Sequence, residues 1–414
     1  MRYIHGMFPG MIFPQILQNA ISRQWRRVNR NFSSNSLRNK QRTTVQVQQT
    51  LGSRHIIYFR FKRYTSTMSR QGLPVDEGVL FGIGNSLLDI TVVTDENFLK
   101  RFDLKANNAI IAGEKHKEIY HAMLDEFEPS FLPGGATQNS IRVAQWLLGR
   151  PKATTFFGSV GHDKFGDILK STAESVGVNV RYQVVEGLST GRCGAVITGE
   201  DRSLVTELGA AEKFDAKFLD EPENWALVEK AMYFYIGGFF LPVSMDAVLK
   251  LLQHAVKTDK TVVMNLHATF LCQYFADKDL NLMQYVDVLF GNGDEAAELC
   301  KNMGFSTTDI KEVAIKTSQL PKLNKSRERI VVFTQGRDPT IVAQGGHVTE
   351  YPVVPVPHDQ IKDTNGCGDA FVGGFLSQLA LGKPVVDCLK CGFYASRVVI
   401  QYFGCNYPDA PDFP

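Results

Sequence analysis

No aspartate or glutamate occurs before Asp76. The first 75 residues carry 13 Lys plus Arg instead, which leaves 32 basic and 43 acidic residues for the remainder, a net charge of −11. A body this acidic argues against the basic patch with which a nucleic-acid binder grips phosphates. Long hydrophobic runs are also missing, and none reaches the ~18 residues that a membrane-spanning helix needs. Neither nucleic acid nor membrane is therefore expected as a partner. Seven cysteines are scattered at Cys193, Cys272, Cys300, Cys367, Cys388, Cys391 and Cys405. An odd count without framework spacing argues against a disulfide scaffold and for a reducing compartment. Cys388 and Cys391 form a CxxC, but no second pair completes a zinc site. There is no Gly-x4-Gly-Lys-Ser/Thr loop, which excludes a P-loop protein. The Gly82-x-Gly84 pair lacks a third glycine and opens no helix, which excludes a dinucleotide fingerprint.

What is present begins with the acid-free segment. QILQNAISRQWRRVNR (15–30) fits a helix after Pro14. Leu17, Ile21, Trp25 and Val28 would share one face, with Arg23, Arg26, Arg27 and Arg30 on the other. Arg-rich, Ser-rich, acid-free and amphipathic is the composition of a mitochondrial transit peptide. The plainer reading is a disordered basic tail or an upstream start, with Met68 as a second start. Residues 1–75 are thus read as an extension and 76–414 as the body.

Beyond Asp76, apolar strand patterns alternate with helical ones. VLFGIGNSLLDITVV (79–93), ATTFFGSVG (153–161), AMYFYIGGFF (231–240), TVVMNLH (261–267), VDVLFGN (286–292) and RIVVFTQG (329–336) read as strands. NSIRVAQWLLG (139–149), FGDILKSTAESVG (165–177), VSMDAVLKLLQHAVKT (243–258), DAFVGGFLSQLALG (369–382) and VDCLKCGFYASRVVIQYFG (386–404) read as helices. The alternation predicts an α/β fold: a mostly parallel central sheet with helices on both faces. Ligands in such folds sit beyond the carboxyl ends of the strands, where Asn265, Asn292 and Gly336 fall. Extra short strands in 88–112 and 190–208 break the alternation. They predict a small separate β-rich lid, formed roughly by 88–134 and 188–210.

The stretch DTNGCGDAFVGGF, Asp363 to Phe375, bears chemistry. Gly366 and Gly368 flank Cys367 and free the backbone to converge its N–H groups on one point, an anion nest. A following helix would add positive partial charge there. Asp369 among those donors makes sense as an acceptor of a proton, the arrangement of phosphoryl transfer. The plainer role for Asp369 is a helix cap behind a glycine turn.

The same stretch resembles the second signature of the ribokinase-type (PfkB) kinase superfamily, and PGGATQNSIRVAQWL (133–147) resembles its first. FGIGNSLLDI (81–90), YIGGFF (235–240), FTQGRD (333–338) and GCNYPDAPDF (404–413) are similar, in order and spacing, to the adenosine kinase branch. The resemblance runs from about Val79 to Phe413. It implies a ribokinase-like three-layer α/β/α fold and ATP-dependent phosphorylation of the adenosine 5′-hydroxyl to AMP, a purine-salvage reaction. It further implies Mg²⁺ as cofactor, adenosine and ATP as small-molecule partners, and a monomer. By it, Asp369 is the general base, and Gly366, Cys367 and Gly368 form the anion hole with Asn365 beside them. Asp89 would bind two ribose hydroxyls, and Asn139, behind Gly134 and Gly135, would reach the same ribose. Asn85, Leu87, Ile111, Cys193, Leu204 and Phe240 map to the nucleoside pocket, and Arg202 lies over the transferring phosphate from the lid. Asn265, Thr334 and Gly336 would line the ATP side. Asn292 and Glu295 would organise Mg²⁺ through water. The same resemblance places the body in cytoplasm and nucleus; mitochondrial import of the long form rests on the composition of residues 1–75 and stands beside the plain basic-tail reading.

Several positions depart from that pattern. Ala109 stands where Gln is expected, Ala136 where Ser, Thr206 where a lid Ala, Gly293 where Glu, Cys367 where Ala, and Phe393 where His is common. His267 lies in LHATF, where a Ser-Ala-Pro-Phe-like run is expected. These departures leave two other readings open: a kinase of another nucleoside or sugar, and a protein that binds nucleoside without turnover. A thiol at Cys367, beside an anion nest, is also expected to be open to oxidation.

Overall fold

Strands buried on both faces read as unbroken apolar runs, and strands of a one-sided sheet alternate. Both kinds occur here. The segment TTFFGSVG is buried at every residue, whereas LLDITVV alternates between half-exposed and buried positions as far as Val92. The first belongs to a central parallel sheet and the second to a sheet with one open face. The computed structural model describes residues 75–413, except 106–108, 117 and 200. The transit-like reading of the N-terminal extension lies outside the described residues.

In chain order, β1 (Leu80–Ile83) and β2 (Leu87–Val93) lead to α1 (Glu96–Arg101), β3 (Ala109–Ile111), α2 (Ile119–Glu126) and β4 (Ser130–Gly134). Next come α3 (Ala136–Leu148), β5 (Thr154–Gly161), α4 (Lys164–Ser175), β6 (Asn179–Val185), β7 (Gly191–Thr198) and β8 (Asp201–Glu207). They are followed by α5 (Pro222–Lys230), β9 (Tyr233–Gly237), α6 (Met245–Lys257), β10 (Thr261–Asn265), α7 (Cys272–Ala276), β11 (Val288–Asn292), α8 (Gly293–Met303) and α9 (Ile310–Ser318). The chain closes with β12 (Ile330–Gln335), β13 (Asp338–Gln344), β14 (His347–Tyr351), α10 (Cys367–Ala380) and α11 (Val385–Val399).

Nine strands form the main sheet in the order β14-β13-β12-β11-β10-β9-β1-β5-β6. All neighbours pair parallel except β12 with β13 and β13 with β14. Alternate residues of each strand feed opposite layers. Phe81 and Ile83 join a core with Val228, Leu252 and Leu299 from α5, α6 and α8. Leu80 joins one with Ile141, Phe371 and Leu389 from α3, α10 and α11. That is a three-layer α/β/α body. Five strands form a second sheet in the order β3-β8-β7-β2-β4. Its buried face packs Leu88, Ile90, Val196 and Val205 against α1, α2 and α4 in a core of its own. The strands expected to interrupt the alternation are thus a separate small sheet.

Two glycines bring α10 against its neighbours. A Cβ on Gly373 would meet the Ser140 carbonyl of α3 at 2.5 Å, and one on Gly374 would collide with the Cys391 carbonyl of α11. Without side chains there, the backbones touch. The start of α10 is thereby held beside the start of α3.

Candidate active site

The strands β1, β9, β10, β11 and β12 run parallel, so their carboxyl ends share one edge of the sheet. The helix α10 starts at Cys367, two residues before the sequence pattern predicts. Gly366 is its N-cap, left-handed at φ 78°, and no side chain caps the helix. Asp369 therefore stands in the first turn and is not the cap. The first-turn N–H groups of a helix lack partners within it, and the macrodipole makes that end partly positive. The result is an anion site. Its loop is braced from behind: the Asp363 carboxylate accepts from Asn365 N at 2.9 Å and from Gly404 N at 2.8 Å. Ser396 Oγ donates to the Cys367 carbonyl at 2.7 Å. A Cβ on Gly366 would stand 2.9 Å from Cys405 Cβ, so the turn closes only without a side chain.

Asp369 points from this turn toward α3. Asn139 Nδ2 donates to Asp369 Oδ2 at 3.0 Å. Burial at the bottom of the cleft pushes the Asp369 acid up to about 7; the Asn139 hydrogen bond opposes that rise and the Asp89 charge adds to it. A carboxylic acid poised near neutrality is matched to accepting a proton at physiological pH. Asp89 itself lies on bare backbone, because any side chain at Gly134 would collide with its carboxylate.

The register of the small sheet explains what surrounds Asp89. Asp89 pairs with Cys193 on one side and Leu132 on the other. Cys193 pairs with Thr206, Ala195 with Leu204, and Leu87 with Gly134 and Gly191. Directly paired residues project to the same face, so Leu87, Asp89, Cys193, Leu204 and Thr206 share one half-buried surface. Thr206 Oγ1 donates to Cys193 Sγ at 3.3 Å. In backbone register Ile111 pairs with Thr206, Ala109 with Leu204, and Arg202 with Ile197. Asn85 follows β1, and its Oδ1 is buried with no hydrogen-bond partner among the described residues, which suits a ligand-facing acceptor.

On the other side of the α10 start is a cavity of about 610 Å³, lined by Thr334, Gly336, Val356, Gly368, Phe371 and Phe393, among others. Its walls also include Val353, Ile361 and Ile400, with Arg337 and Arg397 supplying charge. Cys367 and Gly368 thus face a large apolar chamber while Asp369 faces the small sheet. The start of α10 thus lies between this cavity and the residues around Asp89.

Other expected residues have different surroundings. Asn292 and Glu295 form a reciprocal capping box on α8: Glu295 N donates to Asn292 Oδ1 at 2.9 Å, and Asn292 N donates to Glu295 Oε2 at 2.9 Å. Asn292 Nδ2 donates to the other carboxylate oxygen at 2.8 Å. Burial raises the Glu295 acid. Asn265 ends β10 and accepts from His267 N at 3.2 Å. His267 is left-handed at φ 65°, and burial holds its acid down at about 3, so its ring is neutral. The Phe240 ring is fully buried in the main core, 5.4 Å from Phe214. Its neighbour Phe239 is the exposed ring, stacked on His267 at 5.2 Å. A short turn after β9 reverses which of the two faces outward. Cys367 begins α10 and is half-buried. Burial pushes its thiol up to about 12, with the Asp369 charge adding to the rise.

Sequence reasoning overlooked Arg142, Asp363, Tyr235 and the 353–356 wall. Arg142 stands three residues after Asn139, a spacing that puts both on one helix face. YPVVPVP (351–357) is an extended, proline-broken apolar run, a visible signal for a wall outside the sheet. Tyr235 carried no signal beyond its place in a buried strand.

Residues 101–412 match the pfkB family carbohydrate kinase pattern. The chain belongs to the pfkB carbohydrate kinase family. Among relatives of this kinase, adenosine kinase 2 of Arabidopsis thaliana is 48% identical over 337 residues, which cover 81% of this chain and 98% of that protein. Adenosine kinase of Schizosaccharomyces pombe is 40% identical, covering 80% and 96%. Solved structures agree. Anopheles gambiae adenosine kinase, in complex with P1,P4-di(adenosine-5) tetraphosphate, superposes with a TM-score of 0.73 at 42% identity, covering 82% of this chain and all of that one. Schistosoma mansoni adenosine kinase in complex with 2-fluoroadenosine gives 0.72 at 31% identity, covering 81% and 98%. The pfkB kinase fold accounts for the two sheets and for the anion site at the start of α10.

Proposed function

We propose that this pfkB kinase transfers the γ-phosphoryl group of ATP to the 5′-hydroxyl of adenosine, giving AMP and ADP, and works as a monomer. The observation that carries this reading is Asp369: a carboxylate poised near neutrality in the first turn of α10, between a nucleotide-sized cavity and a sheet face bearing Asp89. ATP enters the cavity on the Thr334, Gly336 and Phe393 side, beside Asn265. Adenosine lies against Leu87, Cys193 and Leu204, with its vicinal ribose hydroxyls on Asp89. Asp369 takes the proton of the 5′-hydroxyl, the first-turn N–H groups after Gly366 hold the phosphoryl oxygens, and Arg202 approaches from the second sheet. Positioned general-base catalysis is worth roughly 10²–10⁴ in rate.

Among the described residues no group of three or more His, Cys, Asp or Glu is arranged to hold a metal. An ion that keeps its water shell and phosphate ligands needs no such group. Asn292 and Glu295 would hold that shell, since each Glu295 oxygen accepts one hydrogen bond from Asn292 and keeps a further lone pair. Mg²⁺, when bound, neutralises phosphate charge. No helix among the described residues is long and apolar enough to cross a membrane.

The test is ADP release by the full chain with Mg-ATP and a panel of adenosine, inosine, guanosine, ribose and fructose. Turnover with adenosine well above the rest is expected. Preference for another member would keep the mechanism and change the substrate. Adenosine binding without turnover would overturn the reading in favour of a sensor. Asp89→Ala is expected to weaken adenosine binding strongly, and unchanged affinity in a titration would remove Asp89 from the site.

A further inference from the structure

Asn139 has an amide with two unlike ends. Its Nδ2 end donates to Asp369 Oδ2 at 3.0 Å. Flipped, it would present an oxygen to a carboxylate and repel it. What faces the other end therefore matters. There Arg142 Nη1 stands 3.5 Å from Asn139 Oδ1. That contact is long for a hydrogen bond, but a guanidinium carries only donors and a fixed positive charge. A cation on one side and a carboxylate on the other admit one amide orientation.

Arg142 is itself held in place. It is 3% exposed. The same Nη1 donates to the Pro133 carbonyl at 2.8 Å and to the Cys405 carbonyl at 3.3 Å. The guanidinium lies 5.5 Å from the centre of the Tyr407 ring, and Tyr407 Oη donates back to the Arg142 carbonyl at 3.1 Å. Pro133 precedes Gly134, which lies beneath Asp89, and Cys405 packs on the N-cap glycine of α10. One side chain thus spans the ribose side, the helix that bears Asn139 and the segment behind the anion site. Arg142 Nε is buried with no hydrogen-bond partner among the described residues.

We propose that Arg142 is a positioning residue for phosphoryl transfer, whose guanidinium orients the Asn139 amide so that its NH₂ end meets ionised Asp369. The proposal rests on Asp369 being the base of the adenosine reaction above. Arg142 acts through Asn139. The other groups that face Asp369 are Asp89 of β2, Tyr235 of β9, Cys367 of its own helix and Cys405 of the C-terminal segment. None of these opposes a flipped amide in place of Arg142. With Arg142 gone, Asn139 loses its preferred orientation, ionised Asp369 loses a donor, and its acid rises.

The experiment is steady-state kinetics of the full chain with adenosine and Mg-ATP between about pH 5.5 and 9. It compares wild type, Arg142→Met, Arg142→Lys, Asn139→Ala and the double variant Arg142→Met/Asn139→Ala. Each is assayed well below the Tm found for it by circular dichroism. Arg142→Met is expected to lower kcat about tenfold to a hundredfold, the range of a hydrogen bond to a charged group. The ATP KM should move by less than about threefold, and the midpoint of the kcat/KM profile should rise by about half to one pH unit. Arg142→Lys should return most of that midpoint. In the Asn139→Ala background, replacing Arg142 should shift the midpoint no further. A folded Arg142→Met with the wild-type midpoint overturns the proposal, and so does an equal shift when Asn139 is already alanine. If Arg142→Met does not fold, the neutral Arg142→Gln decides: an upward midpoint shift that Arg142→Lys lacks supports the proposal, and a folded Arg142→Gln with the wild-type midpoint overturns it. A wild type that does not phosphorylate adenosine overturns the function itself, which the wild-type control shows separately.

Discussion

Asp369 combines two consequences of one placement. Its acid stands at about 7 in the folded chain against an ordinary value of 3.8. Because the base must be ionised, kcat/KM for adenosine should fall as pH drops through about 7, the profile of the free enzyme. An initial-rate series in pH checks this, and a flat profile down to pH 5 would count against the assignment. The stability sign is opposite. Between 3.8 and about 7 the folded state binds more protons than the unfolded state, so stability declines as pH rises and the full loss is present above pH 7. Asp369→Asn removes that loss. The variant should lose turnover by at least about 10², keep adenosine affinity within a few-fold, and melt higher than wild type at pH 8 but not at pH 4. Thermal melts at the two pH values test the second half. A variant destabilised at both would show that Asp369 is a structural anchor.

At the scale of elements, two helix starts carry the site, and they are built differently. The α10 start has a left-handed glycine and no capping side chain, so no side chain occupies its first-turn N–H groups. The α8 start is fully satisfied by the Asn292–Glu295 capping box. Asn292→Ala should cost about 1–2 kcal/mol in a denaturant titration through loss of the cap. If the same residues also hold the ion's water shell, the Mg²⁺ concentration for half-maximal turnover should rise as well. Lost stability with an unaltered Mg²⁺ requirement would leave Asn292 with the cap alone. The glycine pair Gly373 and Gly374 has an equally local cause and a distant effect: contact with α3 and α11 sets Asp369 beside Asn139.

At the scale of the whole molecule, the small sheet has its own core, in which Arg192 stacks 4.3 Å from the Tyr120 ring centre and pairs with Glu207 at 2.7 Å. Adenosine is expected to slow amide exchange in β2, β7 and β8 while leaving β13 and β14 unaltered; uniform protection across both sheets would argue against a moving lid. The charge division of the chain leads to another test. Residues 1–75 fused to a fluorescent reporter should carry it into mitochondria, and a diffuse signal would favour the plain basic tail.

Much of this architecture was legible along the chain. Strand–helix alternation specified the α/β/α layers because buried parallel strands are continuous apolar runs and their helices are periodic. DTNGCGDAFVGGF announced an anion site because only glycine-rich backbone can gather N–H groups so tightly. Other features depended on distant partners. Phe239 and Phe240 are adjacent and alike, and only the turn after β9 decides which ring enters the core. Cys367 reads as reactive beside an anion nest, and only the fold shows that burial raises its thiol. The Asn292–Glu295 spacing reads as metal-organising, and only the fold shows that the same pair also closes a helix end. The pairing of Asn139 with Asp369 joins residues 230 positions apart. Residue types and spacing determined which chemistry the chain can hold. Tertiary packing decided which side chains meet and how much water reaches them, because burial and contact are properties of the folded neighbourhood.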